Sequence, residues 1–155
     1  MAAALPIKEY TASVVILTDQ TPVKTLLVHH RKYDKWVAPG GHQETHENPI
    51  EAAVRETQEE TGLDISGVIG APAFFDSYAS QLPRPNYLLE EQIPAHGAHP
   101  AHVHLDQIYV VRIPQQQAAH NAAEAHDIGW FTLEETEKLT TFENVHKILR
   151  KEMHA

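Results

Sequence analysis

Glu56, Glu59 and Glu60 stand at i, i+3 and i+4, so a helix carries all three carboxylates on one face. Like charges gathered this way repel, and an isolated helix gains nothing from them. A divalent cation removes that penalty, and hard cations such as Mg²⁺ and Mn²⁺ take carboxylate oxygens. The stretch is a metal site first and a helix second. A second group follows strand spacing: His102, His104 and Asp106 alternate, so their side chains share one face of an extended segment. If that face meets a cleft, His102 and His104 can join His42 in a second metal site, because neutral imidazole binds Zn²⁺ or Mn²⁺. The competing account leaves these histidines solvated or hydrogen-bonded at loop ends.

The elements around these residues must place them. Asn48 can cap a helix, Pro49 suits its first position, and Glu51 sits where a capping box needs it. Gly62 is placed to end that helix in a left-handed cap. On the helical wheel Ile50, Val54, Thr57 and Thr61 fall within a sector of roughly 60°, well away from the acidic set. One face therefore packs on a sheet and the other meets a cleft. Strands are expected at Thr11 to Thr18, Lys24 to His29, Val68 to Asp76, His102 to Ile113 and Ile128 to Thr132. Residues 77–101, with four prolines, read as a loop holding one short strand from Tyr87 to Leu89. A helix starts at Leu133 and reaches Leu139, and an amphipathic one covers Phe142 to Met153. The class is α+β, layered.

Composition narrows the partners. The 155 residues suit one domain, 1–155, with 42% hydrophobic and 21% charged content, as in ordinary globular proteins. Twelve Lys and Arg against 21 Asp and Glu give a net charge of −9, the wrong sign for long nucleic acid. A negative protein acting on a negative substrate needs a cation between them. No cysteine is present, which removes disulfides and thiol catalysis and points to a reducing compartment. Met1 to Tyr10 lacks a long apolar run, so no signal peptide and a cytoplasmic location are expected, and no stretch is apolar enough to span a membrane.

The polar positions match a known pattern. Gly41, five residues, Glu47, seven residues, then Arg55-Glu56-x-x-Glu59-Glu60-x-Gly62-Leu63 resembles the Nudix box. Thr57 is the one departure, standing where the pattern prefers an aliphatic residue. The resemblance implies an α/β/α sandwich with a mixed central sheet. It implies a metal-dependent hydrolase that cleaves the pyrophosphate of a small nucleoside diphosphate linked to another moiety: a nucleoside triphosphate, a dinucleotide or a nucleotide sugar. Glu56, Glu59 and Glu60 would hold Mg²⁺ or Mn²⁺, with Gly40 and Glu47 contributing to the metal loop. Arg55 would orient a box carboxylate. Water would attack one phosphorus while the other phosphate leaves, its proton taken by Glu124 or, alternatively, Glu56. Such domains often pair, so a homodimer is an expectation too.

Two other functions are compatible with the pattern. One is a nucleotide-binding or regulatory module without catalysis, although such modules usually lose box glutamates. The other resembles isopentenyl diphosphate isomerase, whose metal ligands lie in similar positions but whose chemistry uses a cysteine that is missing here. Arg31, Lys32 and Lys35, and more weakly Arg84 and Arg112, are candidates for terminal phosphates or for plain solvated surface. Tyr33, Tyr78, Tyr87 and Trp36 could stack on a base or belong to the core.

Overall fold

The structure, a computed structural model, describes residues 4–154; Met1 to Ala3, part of the stretch expected to lack a leader, and Ala155 lie outside the described residues. Strands β1 (Lys8–Thr18), β2 (Lys24–His30), β3 (Lys35–Val37) and β4 (Gly40–His42) precede helix α1 (Pro49–Thr61). Then come β5 (Ala73–Phe74), β6 (Ser80–Gln81), β7 (Tyr87–Ile93), β8 (His102–Ile113) and β9 (Ala125–Thr132), and finally helices α2 (Leu133–Thr136) and α3 (Glu143–Glu152). The main sheet runs β3-β2-β1-β8-β7, with β4 on β1 and β9 on β2. Among the described residues only β1 and β8 pair in parallel, from Lys8↔Val103 to Thr18↔Ile113, so the sheet is mixed.

β1 is apolar on both faces because both faces are covered. Ala12, Val14 and Ile16 pack with Ile50 and Ala53 of α1, whereas Val15 and Leu17 pack with Ile148 and Leu149 of α3. The result is an α/β/α sandwich. The ends of α1 follow from its sequence. The Asn48 side chain accepts from the Glu51 N–H, Glu51 accepts from the Asn48 N–H, and Gly62 takes φ 74°. At that φ a Cβ would be strained, which is why glycine ends the helix.

Several expected bounds change. The strand expected over Val68 to Asp76 shrinks to Ala73–Phe74, paired with Ser80–Gln81 in a separate hairpin. Gly70, at φ 95°, and Pro72, which has no N–H to donate, interrupt the run. That hairpin region exposes Phe74, Phe75 and Tyr78. Conversely, β7 continues past Leu89 to Ile93, because Tyr87, Leu89, Glu91 and Ile93 turn inward in strict alternation. The charged pair Glu90-Glu91 hides that alternation in the sequence. Helix α2 stops at Thr136, whose hydroxyl donates to the Leu133 carbonyl, instead of reaching Leu139. No helix among the described residues is long and apolar enough to cross a membrane.

Candidate functional site

The box loop passes so close to α1 that a side chain does not fit. A Cβ on Gly41 would lie 2.5 Å from the Glu56 carboxylate. β4, held to β1 through Ser13↔Gly40 and Thr11↔His42, fixes this approach. The Gly40 N–H donates to Glu60 Oε2 at 3.0 Å, so Gly40 contributes a donor to a carboxylate.

Arg55 is the hub of the box. Its guanidinium donates to Glu47 through Nε and through Nη2 (2.9 Å), to Glu56 Oε1 (2.9 Å), to Glu59 Oε2 (3.3 Å) and to the His42 carbonyl (3.0 Å). The Arg55 bonds depress Glu47 to a pKa of about 2, and chiefly the Glu47 bonds raise Arg55. Both oxygens of Glu47 are occupied by this fork, so Glu47 braces the loop. Glu56 goes the other way. Burial raises its pKa, against the pull of Arg55 and with help from Glu59 and Glu124.

Glu60 is the most perturbed. It is only 6% exposed, and burial, reinforced by Glu56, Glu124 and Glu59, pushes its pKa up to about 8 against one Gly40 N–H. A buried carboxylate without a cationic side-chain partner, crowded by others, either holds a proton or shares a cation with them. Oxygen-only donors of that charge fit a hard divalent ion. Glu124, which the resemblance offers as a base, lies near Glu60: Glu60, Glu124, His30 and Asn121 line one small pocket. Arg31 secures that corner. It donates from Nε to the Ala122 carbonyl at 2.7 Å, and its own N–H reaches the Glu124 carbonyl at 2.9 Å.

A cleft of about 1040 Å³ opens on the α3 face of the sheet, and Glu60 lines it. Lys32, Lys35, Tyr33 and Phe142 form one wall. The Tyr33 and Phe142 rings meet edge to face with centroids 5.6 Å apart, and Lys35 lies 5.4 Å above Phe142. Glu91 and Asn144 line it too, with the Asn144 amide donating to Glu91 at 2.8 Å. Burial, with Asp106 adding to it, lifts the Glu91 pKa to about 7.

His104 and Asp106 also line the cleft, so the face carrying the alternating histidines does meet it. Asp106 is engaged by hydroxyls, Thr11 at 2.8 Å and Ser13 at 3.0 Å. His42, His102 and His104 come together, joined by Glu9, and their ligand atoms all lie within 4.8 Å of one another. Burial lowers the His104 pKa to about 4, which keeps its ring neutral.

Of the four residues expected to meet substrate, Tyr78, Arg84 and Arg31 lie away from the cleft and Lys35 lines it. Tyr78 is 98% exposed at the turn of the β5–β6 hairpin, and Arg84 follows that hairpin; neither lines the cleft. Arg31 braces the Glu124 turn and does not line the cleft, whereas Lys35 does. Trp36 stacks on His29 and packs against Phe131, and Tyr87 donates to Glu152; both belong to the packing. Glu9, Glu91, Phe142 and Asn144 were missed. Glu9 alternates with Thr11 and Ser13, so starting β1 three residues earlier would have found it.

Fold and site together define a Nudix hydrolase, and residues 8–152 match the NUDIX domain model. The chain belongs to that family. Its fold resembles a hydrolase of the NUDIX family from Clostridium perfringens, with a TM-score of 0.71 and 22% identity over 94% of this chain and 95% of that one. It also resembles the E. coli dihydroneopterin triphosphate pyrophosphohydrolase, with a TM-score of 0.69 and 16% identity over 95% and 97%. In sequence it is 40% identical over 62 residues to the asymmetrical bis(5'-nucleosyl)-tetraphosphatase of Rattus norvegicus. That match spans 36% of this chain and 39% of the rat enzyme.

Proposed function

We propose that this chain is a divalent-cation-dependent pyrophosphohydrolase of small nucleoside polyphosphates, with dinucleoside polyphosphates and nucleoside triphosphates as its substrate class. The observation that carries this is Glu60, a buried carboxylate with one N–H donor, facing both the cleft and Glu124. Glu56, Glu59 and Glu60, with Glu124 beside them, would hold Mg²⁺ or Mn²⁺, which when bound neutralises pyrophosphate oxygens.

The residues of the chain divide the remaining work. Arg55 holds Glu47 and Glu56 in fixed rotamers, and the Gly40 N–H orients Glu60. Water attacks one phosphorus, a P–O bond forms, the bridging P–O bond breaks, and the second phosphate departs. Glu124, or Glu56 in its place, takes the proton of the water. Lys32 and Lys35 attract the outer phosphates, and Tyr33 with Phe142 supplies an aromatic wall for a base. A cleft of about 1040 Å³ is at the upper end for small-molecule sites and suits an extended nucleotide. The resemblance to the rat tetraphosphatase supports the same class.

The test is phosphate release, with coupled phosphatase, across dinucleoside polyphosphates, nucleoside triphosphates, ADP-ribose and nucleotide sugars. Turnover of the first two classes with Mg²⁺ or Mn²⁺ is expected. Glu59→Gln and Glu60→Gln should each lower kcat by on the order of 10²–10⁴ with an unchanged circular dichroism spectrum. Silence across the panel, or near-normal rates in both variants, would remove the proposal.

A further inference from the structure

We infer that Glu9, His42, His102 and His104 form a second metal site, a closed four-ligand Zn²⁺ site at the end of the cleft, distinct from the glutamate box. Four side chains from three strands converge there: Glu9 from β1, His42 from β4, and His102 and His104 from β8. The parallel register sets Glu9 directly beside His104, and β4 brings His42 onto the other edge of β1.

The spacing suits one ion. His42 Nε2 lies 2.7 Å from Glu9 Oε2, and His102 Nε2 lies 3.0 Å from His104 Nε2. Glu9 Oε2 is 3.7 Å from His102 Nε2 and 3.9 Å from His104 Nε2. A tetrahedron of ligands about 2.05 Å from Zn²⁺ has edges of roughly 3.3 Å, in the middle of these separations.

An independent observation concerns the orientation of a ring. His102 Nδ1 lies 3.0 Å from the Pro100 carbonyl, which only accepts, so Nδ1 carries the proton. In the neutral ring the Nε2 lone pair then points into the cluster. This is the backbone bond by which metal-binding proteins orient a histidine ligand. Three imidazoles and one carboxylate form a nitrogen-rich set suited to Zn²⁺, unlike the all-oxygen box, which suits Mg²⁺.

With four protein ligands the site is structural. It would staple the first strand to β8 and to the box loop, and its His42 carbonyl is the one that Arg55 grips from the other side of the sheet. The inference does not rest on the proposed hydrolase activity.

The test uses the full chain carrying Glu59→Gln and Glu60→Gln, so that the box is disabled, after stripping with a chelator. Titration with Co²⁺ alone should give one equivalent bound, with the intense visible absorption of four-coordinate cobalt, displaced by Zn²⁺. Adding Zn²⁺ at a hundredfold excess over Kd should raise Tm by roughly 5–10 °C. His42→Ala, at a ligand whose side chain is largely exposed, and His102→Ala should each weaken Co²⁺ binding by at least about 100-fold and abolish the absorption. The inference is overturned if the box-disabled protein binds no Co²⁺, if the bound ion shows only the pale spectrum of six-coordination, or if both histidine variants bind as the parent does. Absence of nucleotide hydrolysis by the unsubstituted chain, with cobalt binding intact, would count against the proposed function alone.

Discussion

A glycine at position 41 is required by distance, not by backbone conformation. Its missing Cβ is the space that the Glu56 carboxylate occupies, so Gly41→Ala would push two atoms 2.5 Å apart into ordinary contact. Either the loop or Glu56 must retreat by about 1 Å, and misplacements of that size cost about 10² in rate. Gly41→Ala should therefore lower kcat by about 100-fold while leaving the melting curve cooperative. Unchanged kcat would show that Glu56 need not stay in place. The carboxylate spacing and the glycine were both legible in the sequence, because the helix period and loop tightness are local properties. That Glu60 is buried while Glu56 meets Arg55 was not legible, since both lie on the same helical face and only the packing distinguishes them.

Helix α1 reads almost completely from its own residues: cap, first-turn proline, apolar sector and terminal glycine are all local signals. Its one irregularity is Thr57, which is fully buried with no hydrogen-bond partner for its hydroxyl, while Thr61 donates to the Thr57 carbonyl at 2.7 Å. Valine has the same shape without the hydroxyl. Removing an unsatisfied buried polar group is worth about 1–3 kcal/mol, so Thr57→Val should raise Tm by roughly 3–8 °C. Calorimetry checks this, and a fall in Tm would mean that the hydroxyl is satisfied. The short elements were harder to read. Where β5 ends, where β7 ends and where α2 stops depend on pairing and on competing side-chain bonds, which a run of residue types does not display.

Across the whole molecule, β7 and α3 are linked within the cleft by the hydrogen bond from Asn144 to Glu91. Folded Glu91 titrates near 7 against an ordinary 4.5, chiefly because it is buried. The folded state thus keeps a proton that the unfolded chain releases. The contribution of Glu91 to stability is greatest below about pH 4.5, declines as pH rises towards 7, and is flat above. Glu91 is only partly shielded, so the penalty at pH 8 is about 1 kcal/mol. Glu91→Gln should remove that part of the slope and raise Tm at pH 8 by about 3 °C, while leaving Tm at pH 4 unchanged. An equal slope in the variant would assign it to other groups. By itself the sequence determined the chemistry within α1 and its loop, because carboxylate spacing, caps and tight turns are set by neighbours along the chain. Tertiary structure decided what those residues face. The parallel pairing of β1 with β8 brings Glu9 to His104 across 95 residues, and only folding creates the burial that lifts Glu60 and Glu91.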